Sequence, residues 1–326
     1  MNQAIIELFE EAIRRHVSDI YLLPEQKDYV ISFYQSTKFK LYKKVTTDQA
    51  RQIINFLKFK SDMSISERRR PQLGAWSYSY QNTKIFCRFS SVGTFLDQES
   101  LVIRLIYHNI SASDGYFFQK QFQQISAACK KRGLVLFSGP MGSGKTTSMY
   151  TFAQQLTDKL VMTIEDPVEI YEPRFLQLQV NDKADMSYEK LLVAALRLHP
   201  DVFLIGEIRN EQTAAIAIKA ALSGHLVLST VHAQNVYGVF LRLLNLGVSQ
   251  YDLEQTVQLV SYQRLIETTS QAPKVLFDIL SLDGLSWDEI RQKKRGEMTD
   301  EWNKKLVQCV KERKITVQTQ EKYSCG

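Results

Sequence analysis

Cysteine is scarce. The four, at positions 87, 129, 309 and 325 of 326, include no two close enough to form a CxxC metal pair, and their spacing is not that of a disulfide framework. Seven prolines and fourteen glycines are too few for a linker-rich or low-complexity chain. No run approaches the ~18 consecutive apolar residues that a bilayer-spanning helix needs. The opening MNQAIIELFEEAIRRH is amphipathic, without the basic start and apolar core of a secretory signal. These absences lead to the expectation of a cytoplasmic protein in a reducing compartment. A strong excess of charge is missing too: +6 leaves room for a phosphate ligand or an acidic surface without demanding nucleic acid.

What is present is ordinary globular material, 44% apolar and 23% charged, of a length that suits two domains. Ile5, Leu8, Phe9, Ala12 and Ile13 fall at helical spacing within residues 3–16. Short strands are expected at Asp19–Leu23 (stopped by Pro24), Tyr29–Tyr34 and Lys38–Leu41, then a helix over Asp48–Phe59. Further strands are expected at Gly74–Tyr80, Lys84–Ser90 and Ser100–Ile106, making an antiparallel α+β domain. The polar stretch His108–Gly115 reads as a linker, and the boundaries become domain 1–110, linker 111–117 and domain 118–326. In the second domain helices alternate with continuous apolar runs, Leu134–Ser138, Leu160–Ile164, Val202–Ile205 and Leu226–Thr230. Runs of this kind imply strands buried on both faces, hence a parallel, doubly wound α/β sheet. Arg291–Lys314 carries nine basic and four acidic residues around a narrow apolar stripe of Trp302, Leu306, Val307 and Val310. It reads as a solvated helix lying on the domain; the alternative is a contact with nucleic acid or membrane.

The sharpest chemical signal is Gly139-Pro140-Met141-Gly142-Ser143-Gly144-Lys145-Thr146, which fits G-x-x-x-x-G-K-[ST] between an apolar strand and a helix. Such a loop curls its N–H groups around a β-phosphate at the positive end of the helix. Lys145 then neutralises the β- and γ-phosphates, and the Thr146 hydroxyl ligates Mg²⁺ of an ATP complex. Asp201–Glu207 (DVFLIGE) reads as a Walker B strand, with Glu207 reaching the metal through water; the plainer reading is a strand-end surface acid. Thr163–Glu169 (TIEDPVE) offers a carboxylate to orient or deprotonate the attacking water, or else is an acidic turn. His225 and His232 flank LVLST seven residues apart, not at the i, i+4 spacing of a helical zinc pair. Each either senses a phosphate or fills a structural role.

GPMGSGKTT, TIEDPVEI, DVFLIGEIR and GHLVLSTVHA resemble, in order and spacing, the Walker A, Asp box, Walker B and His box of the traffic ATPases of type II secretion and type IV pili. Val17–Pro24 (VSDIYLLP) is similar to that family's ASDIHxEP element. The resemblance implies a RecA-like P-loop ATPase domain behind a smaller α+β, PAS-like domain, in a homo-hexamer with ATP between domains. It implies a motor at the cytoplasmic face of the membrane that moves a polytopic platform protein, so that pilin subunits are extracted and stacked, with no direct contact to nucleic acid. Residue by residue, Gly139 to Thr146 with Thr147, Arg209 and His225 become nucleotide-binding. Glu165 becomes the acid that activates water, Glu207 the Walker B acid and His232 a second catalytic side chain. Arg88 (FCRFS) and Arg104 (LVIRL) become arginines that the first domain supplies to the γ-phosphate.

The departures from the family narrow the branch. Its tetracysteine zinc element is missing between Gln263 and Gln308, so no zinc is expected. Tyr21 replaces a histidine, and Val193 stands where an arginine run is broken before Arg197. The compact, zinc-free form resembles the competence-pilus assembly ATPase of Gram-positive bacteria, which builds a DNA-uptake pilus; a pilus-retraction ATPase is the nearer alternative. A nucleic-acid-dependent P-loop motor is the more distant one, with Tyr78, Tyr80, Phe86 and Phe89 as a base-stacking platform.

Overall fold

The computed structural model describes residues 3–35, 38–81, 83–107, 115–181, 184–270, 272–281, 286–293 and 297–326. The chain divides into two compact units, Met1–His108 and Asn109–Gly326. The expected linker lies largely at residues 108–114, outside the described residues.

In the first unit α1 (Gln3–Arg14) buries Ile5, Leu8, Phe9, Ala12 and Ile13, one apolar face at 3.6-residue spacing. Six antiparallel strands follow: β1 (Asp19–Glu25), β2 (Asp28–Gln35), β3 (Lys38–Thr46), β4 (Gln72–Tyr80), β5 (Thr83–Gly93) and β6 (Glu99–Ile106). They stand in the order β3-β2-β1-β6-β5-β4. Between β3 and β4, α2 (Thr47–Lys60) starts with a capping box in which Thr46 and Gln49 satisfy each other's backbone N–H groups. Phe9 packs edge-on against Trp76 at 5.7 Å.

Two expectations change here. Pro24 lies inside β1 and does not stop it. The β1–β6 ladder ends at the Leu22–Leu101 pair, so Pro24 sits where β1 is paired with β2 alone and its missing N–H costs no second ladder. Of the aromatics proposed as a stacking platform, Tyr78 and Phe89 are core residues, and Tyr80 packs against that core. The two buried rings present no face to a base, and Tyr80 and Phe86 are half-buried.

The second unit is built on seven strands in the order β13-β12-β7-β11-β10-β8-β9. The parallel core is β7 (Gly133–Ser138), β8 (Val161–Glu165), β9 (Leu176–Gln179), β10 (Val202–Ile208), β11 (Leu226–Val231) and β12 (Val257–Ile266). Strand β13 (Lys274–Leu280) returns antiparallel to β12. Both β7 and β11 are buried at every position. Alternate residues feed opposite layers: Leu134 and Leu136 join one apolar cluster, Val135 and Phe137 the other. That double burial is why the runs are continuous. Helices α3 (Gln119–Ala128), α4 (Lys145–Ala153), α5 (Tyr188–Leu196), α6 (Glu211–Leu222), α7 (Val236–Asn245) and α8 (Gln250–Thr256) connect the strands.

The basic C-terminal stretch is not a single solvated helix. It begins at the end of α9 (Trp287–Gln292) and contains α10 (Asp300–Lys311), with α11 (Val317–Lys322) after it. The buried stripe of α10 is Trp302, Leu306 and Cys309, all without solvent exposure. Val310 is partly buried against the same core, whereas Val307, counted in the stripe from sequence, faces solvent. Trp302 also donates its indole N–H to the Tyr323 carbonyl at 2.8 Å. At the start of α10, buried Asp278 accepts the Thr299 N–H at 3.0 Å and the Thr299 hydroxyl. Burial pushes that carboxyl above its ordinary range.

Candidate functional site: a phosphate loop facing two strand-end glutamates

Parallel strands of one sheet share a carboxyl edge, so β7, β8, β10 and β11 deliver their following residues to one place. Strand β7 runs into the glycine loop. Gly144 is the residue before α4 and has φ +82°, and Gly142 has φ +74°. Both occupy the left-handed region that glycine enters freely. A Cβ on Gly139 would lie 2.4 Å from the Gln263 carbonyl and 2.7 Å from Ser143 Oγ, so only glycine lets the loop close against β12. Gln263 braces the loop by donating Nε2–H to the Ser143 carbonyl at 2.6 Å.

Lys145 is buried and donates to the carbonyls of Gly139 and Pro140, each at 3.0 Å. Burial lowers its ammonium pKa; the nearby carboxylates of Glu207 and Glu169 pull the other way. Thr146 Oγ1 donates to Glu169 Oε2 at 2.8 Å. Thr147 is exposed on the first turn of α4, as is Met141 at the loop tip. A cavity of about 450 Å³ adjoins the loop, lined by Gly139, Pro140, His232, Tyr262, Arg264 and Cys325 among others.

The two candidate acids end neighbouring strands. Glu165, the last residue of β8, is 2% exposed, and burial raises its carboxyl pKa. Its Oε1 accepts the Tyr150 hydroxyl at 2.6 Å. Glu207 near the end of β10 is more open. It meets His232 Nε2 at 2.9 Å and Arg209 at 3.5 Å. Arg209 in turn reaches Asp166 Oδ2 at 2.8 Å, next to the cis Asp166–Pro167 bond. Gly206 makes the two ends compatible: a Cβ there would stand 3.1 Å from Glu165 Cγ.

The structure thus gathers the loop residues Gly139 to Thr147 with Glu165, Glu207, Arg209 and His232. It leaves out His225. That residue precedes β11, at the edge of the sheet where the Gly133 N–H bonds the His225 carbonyl. A six-residue strand puts it ~20 Å from His232. Its Nδ1 lies 3.2 Å from the Ala220 carbonyl and its ring meets Phe203 edge-on, a structural role. In the first unit Arg88 and Arg104 are directly opposed on β5 and β6, and Arg104 also bonds Asp19 at 2.8 Å. The sequence reading missed Tyr150, Gln177 and Gly206, and did not single out Glu169. The phenol five residues after Lys145 was the available signal, since that spacing stays on one helix near the phosphate turn.

Oxygen donors at this edge suit Mg²⁺. Thr146 and Glu169 already meet, and Glu207 is beside Lys145. Among the described residues no group of three or more His, Cys, Asp or Glu side chains forms a metal cage, and Mg²⁺ bound with a nucleotide asks for none, taking few protein ligands plus phosphate and water.

Nearly the whole length supports a family assignment. Residues 1–320 match the model for "Type II/IV secretion system protein". The chain belongs to that family. Its relatives include the competence protein ComGA of Streptococcus pneumoniae, 38% identical over 80% of this chain and 83% of that protein. ComGA of Bacillus subtilis is 37% identical over 80% of this chain and 74% of that one. The crystal structure of the Legionella pneumophila ATPase DotB superposes with a TM-score of 0.79 over 99% of this chain and 95% of its own, at 17% identity, a likeness of fold. Family membership and a complete phosphate loop make this secretion-family chain an ATPase.

Proposed function

We propose that the chain hydrolyses ATP to power assembly of a competence type IV pilus for DNA uptake. The observation that carries the hydrolytic half is the phosphate loop with Glu207 and Glu169 beside Lys145 and with Glu165 bonded to Tyr150 on the helix that follows the loop. The ComGA relatives support the biological half.

In this reading the loop N–H groups and Lys145 hold the β- and γ-phosphates. Lys145 leaves the Gly139 and Pro140 carbonyls to do so. Thr146, and Glu207 through water, would hold Mg²⁺, which would supply charge neutralisation at the phosphate oxygens. Glu165 takes a proton from water as the water oxygen bonds to the γ-phosphorus and the bond to the bridging oxygen breaks; a carboxylate with a raised pKa is suited to that transfer. His232 holds Glu207 in place and reads the γ-phosphate. Arg209 ties the Glu207 strand end to Asp166. Arg88 and Arg104 supply positive charge to the γ-phosphate. Their side-by-side places on β5 and β6 put two guanidinium groups on one strand pair.

The working form is a homo-hexamer acting on a polytopic platform protein at the cytoplasmic face of the membrane, and through it on pilin. No helix among the described residues is long and apolar enough to cross a membrane. Lys145→Ala removes the phosphate-binding ammonium and abolishes turnover with the fold intact; undiminished turnover overturns the site. Deleting the gene in its host, scored for surface pili and for DNA uptake, tests the system: loss of both supports it, and loss of neither overturns it.

A further inference from the structure

Tyr150 belongs to no nucleotide motif, yet it bonds the acid on which hydrolysis depends. It lies on α4, five residues after Lys145, and is fully buried. Its hydroxyl is 2.6 Å from Glu165 Oε1. The direction of that bond follows from Gln177 on β9. The Glu172 N–H donates to Gln177 Oε1 at 2.9 Å, which identifies the other amide atom as the nitrogen. That nitrogen donates to the Ile170 carbonyl at 2.7 Å and to the Tyr150 oxygen at 2.7 Å. The phenol oxygen is therefore already an acceptor, and its one proton points at Glu165. Burial pushes the phenol pKa upward, so the proton stays on Tyr150.

We infer that Tyr150 is a positioning residue for hydrolysis: it pins one oxygen of Glu165 to the phosphate-binding helix and, together with the Glu169 N–H and the Thr163 hydroxyl, fixes the carboxylate that receives the proton of water. This rests on the reading of Glu165 as the base. Because Lys145, Thr146 and Tyr150 share one rigid helix, the nucleotide and the base are held by the same body. Misplacement by ~1 Å in such an arrangement is enough to cost ~10²-fold in rate. Gln177 adds a second point of support, tying the phenol to the Ile170–Glu172 turn beyond β8.

The phenol bond also tunes the base. Burial raises the pKa of Glu165 and the Tyr150 proton opposes that rise. Thr163 on the same strand and the Glu169 backbone N–H also oppose it, the Glu169 charge raises it further, and Tyr188 on α5 and neighbouring Asp166 lie close by. Deleting the hydroxyl favours protonated Glu165, and the acid limb of turnover moves to higher pH.

The test uses the full chain, with steady-state hydrolysis followed against pH and nucleotide affinity measured with a fluorescent ATP analogue. Tyr150→Phe keeps the ring in its apolar layer. Its kcat is expected to fall ~10–100-fold, the scale of one lost bond to a charged group. The affinity should change by less than about twofold, and the acid limb should move upward. Gln177→Leu should shift both in the same direction by less, and it decides by the same readouts if Tyr150→Phe does not fold. Tyr150→Phe added to Glu165→Gln should slow turnover no further, because the two act through one group. Wild-type kcat and an unmoved limb in Tyr150→Phe, with Glu165→Gln inactive, overturn the positioning role alone. A fully active Glu165→Gln overturns the base assignment beneath it.

Discussion

The ends of β8 and β10 invite comparison: each delivers a glutamate to the same edge, by different construction. Glu165 is sealed in, touches a phenol, and has its carboxyl raised by burial. Glu207 keeps 26% of its side chain open and is met by the cations Arg209 and, when protonated, His232. Burial with a neutral donor raises the pKa of the Glu165 carboxyl, whereas the open Glu207 stands where water and a divalent cation could reach it. Two glutamates near strand ends thus meet two different environments, and packing separates them.

Substitution of the two acids should separate them most sharply. Glu165→Gln and Glu207→Gln are each expected to lose ~10²–10³-fold in kcat. Raising Mg²⁺ should recover part of the Glu207→Gln loss and none of the Glu165→Gln loss; a titration of rate against Mg²⁺ decides. Identical Mg²⁺ responses remove the distinction. Next in size is Gly206→Ala, whose Cβ presses on Glu165 Cγ from 3.1 Å. It should lower kcat ~10-fold with nucleotide binding unchanged, because the base is displaced and the loop is not.

A smaller effect concerns stability. The folded pKa of Glu165 is raised, so its contribution is favourable below the unfolded value and is lost as pH rises through the folded value. Glu165→Gln removes that penalty and should raise Tm at mildly alkaline pH while leaving it nearly unchanged at acid pH. A uniform shift in thermal melts would show that burial of the charge is not its cause. The smallest effect is at the far end of β11. His225→Ala should cost about 1 kcal/mol of stability through its contacts with Ala220 and Phe203 and alter kcat less than about twofold. A large loss of kcat with normal melting would return His225 to the nucleotide.

Legibility from sequence followed the range of the interactions. The phosphate loop could be read because backbone conformation within eight consecutive residues defines it, and β7 and β11 because double burial leaves unbroken apolar runs. Strand β12 (VQLVSYQRLI) hid because its polar members are satisfied by distant partners; Ser261 bonds the Leu136 carbonyl and Gln263 the Ser143 carbonyl. Val307 was misplaced because valine looks apolar at any helical angle, and only the packing of Trp302, Leu306 and Cys309 sets the inward face. His225 was misassigned because a histidine at either end of a strand looks alike in sequence; the polarity of the parallel sheet sends the two ends to opposite edges. Tyr150 was passed over because its partner, Glu165, lies on a strand and not on its own helix.

The cysteines have a practical consequence. Cys87, Cys129 and Cys309 are buried, and burial pushes their thiols up to about 12, about 12 and about 11, far from the thiolate form that alkylating reagents attack. Cys325 alone of the four is exposed, and it lines the cavity beside Gly139 and Pro140. A maleimide fluorophore added to the unmodified protein should therefore label one position without any cysteine having to be removed. The dye would sit beside the phosphate loop, so its emission can follow nucleotide arrival and product departure turnover by turnover, an optical record of the motor cycle.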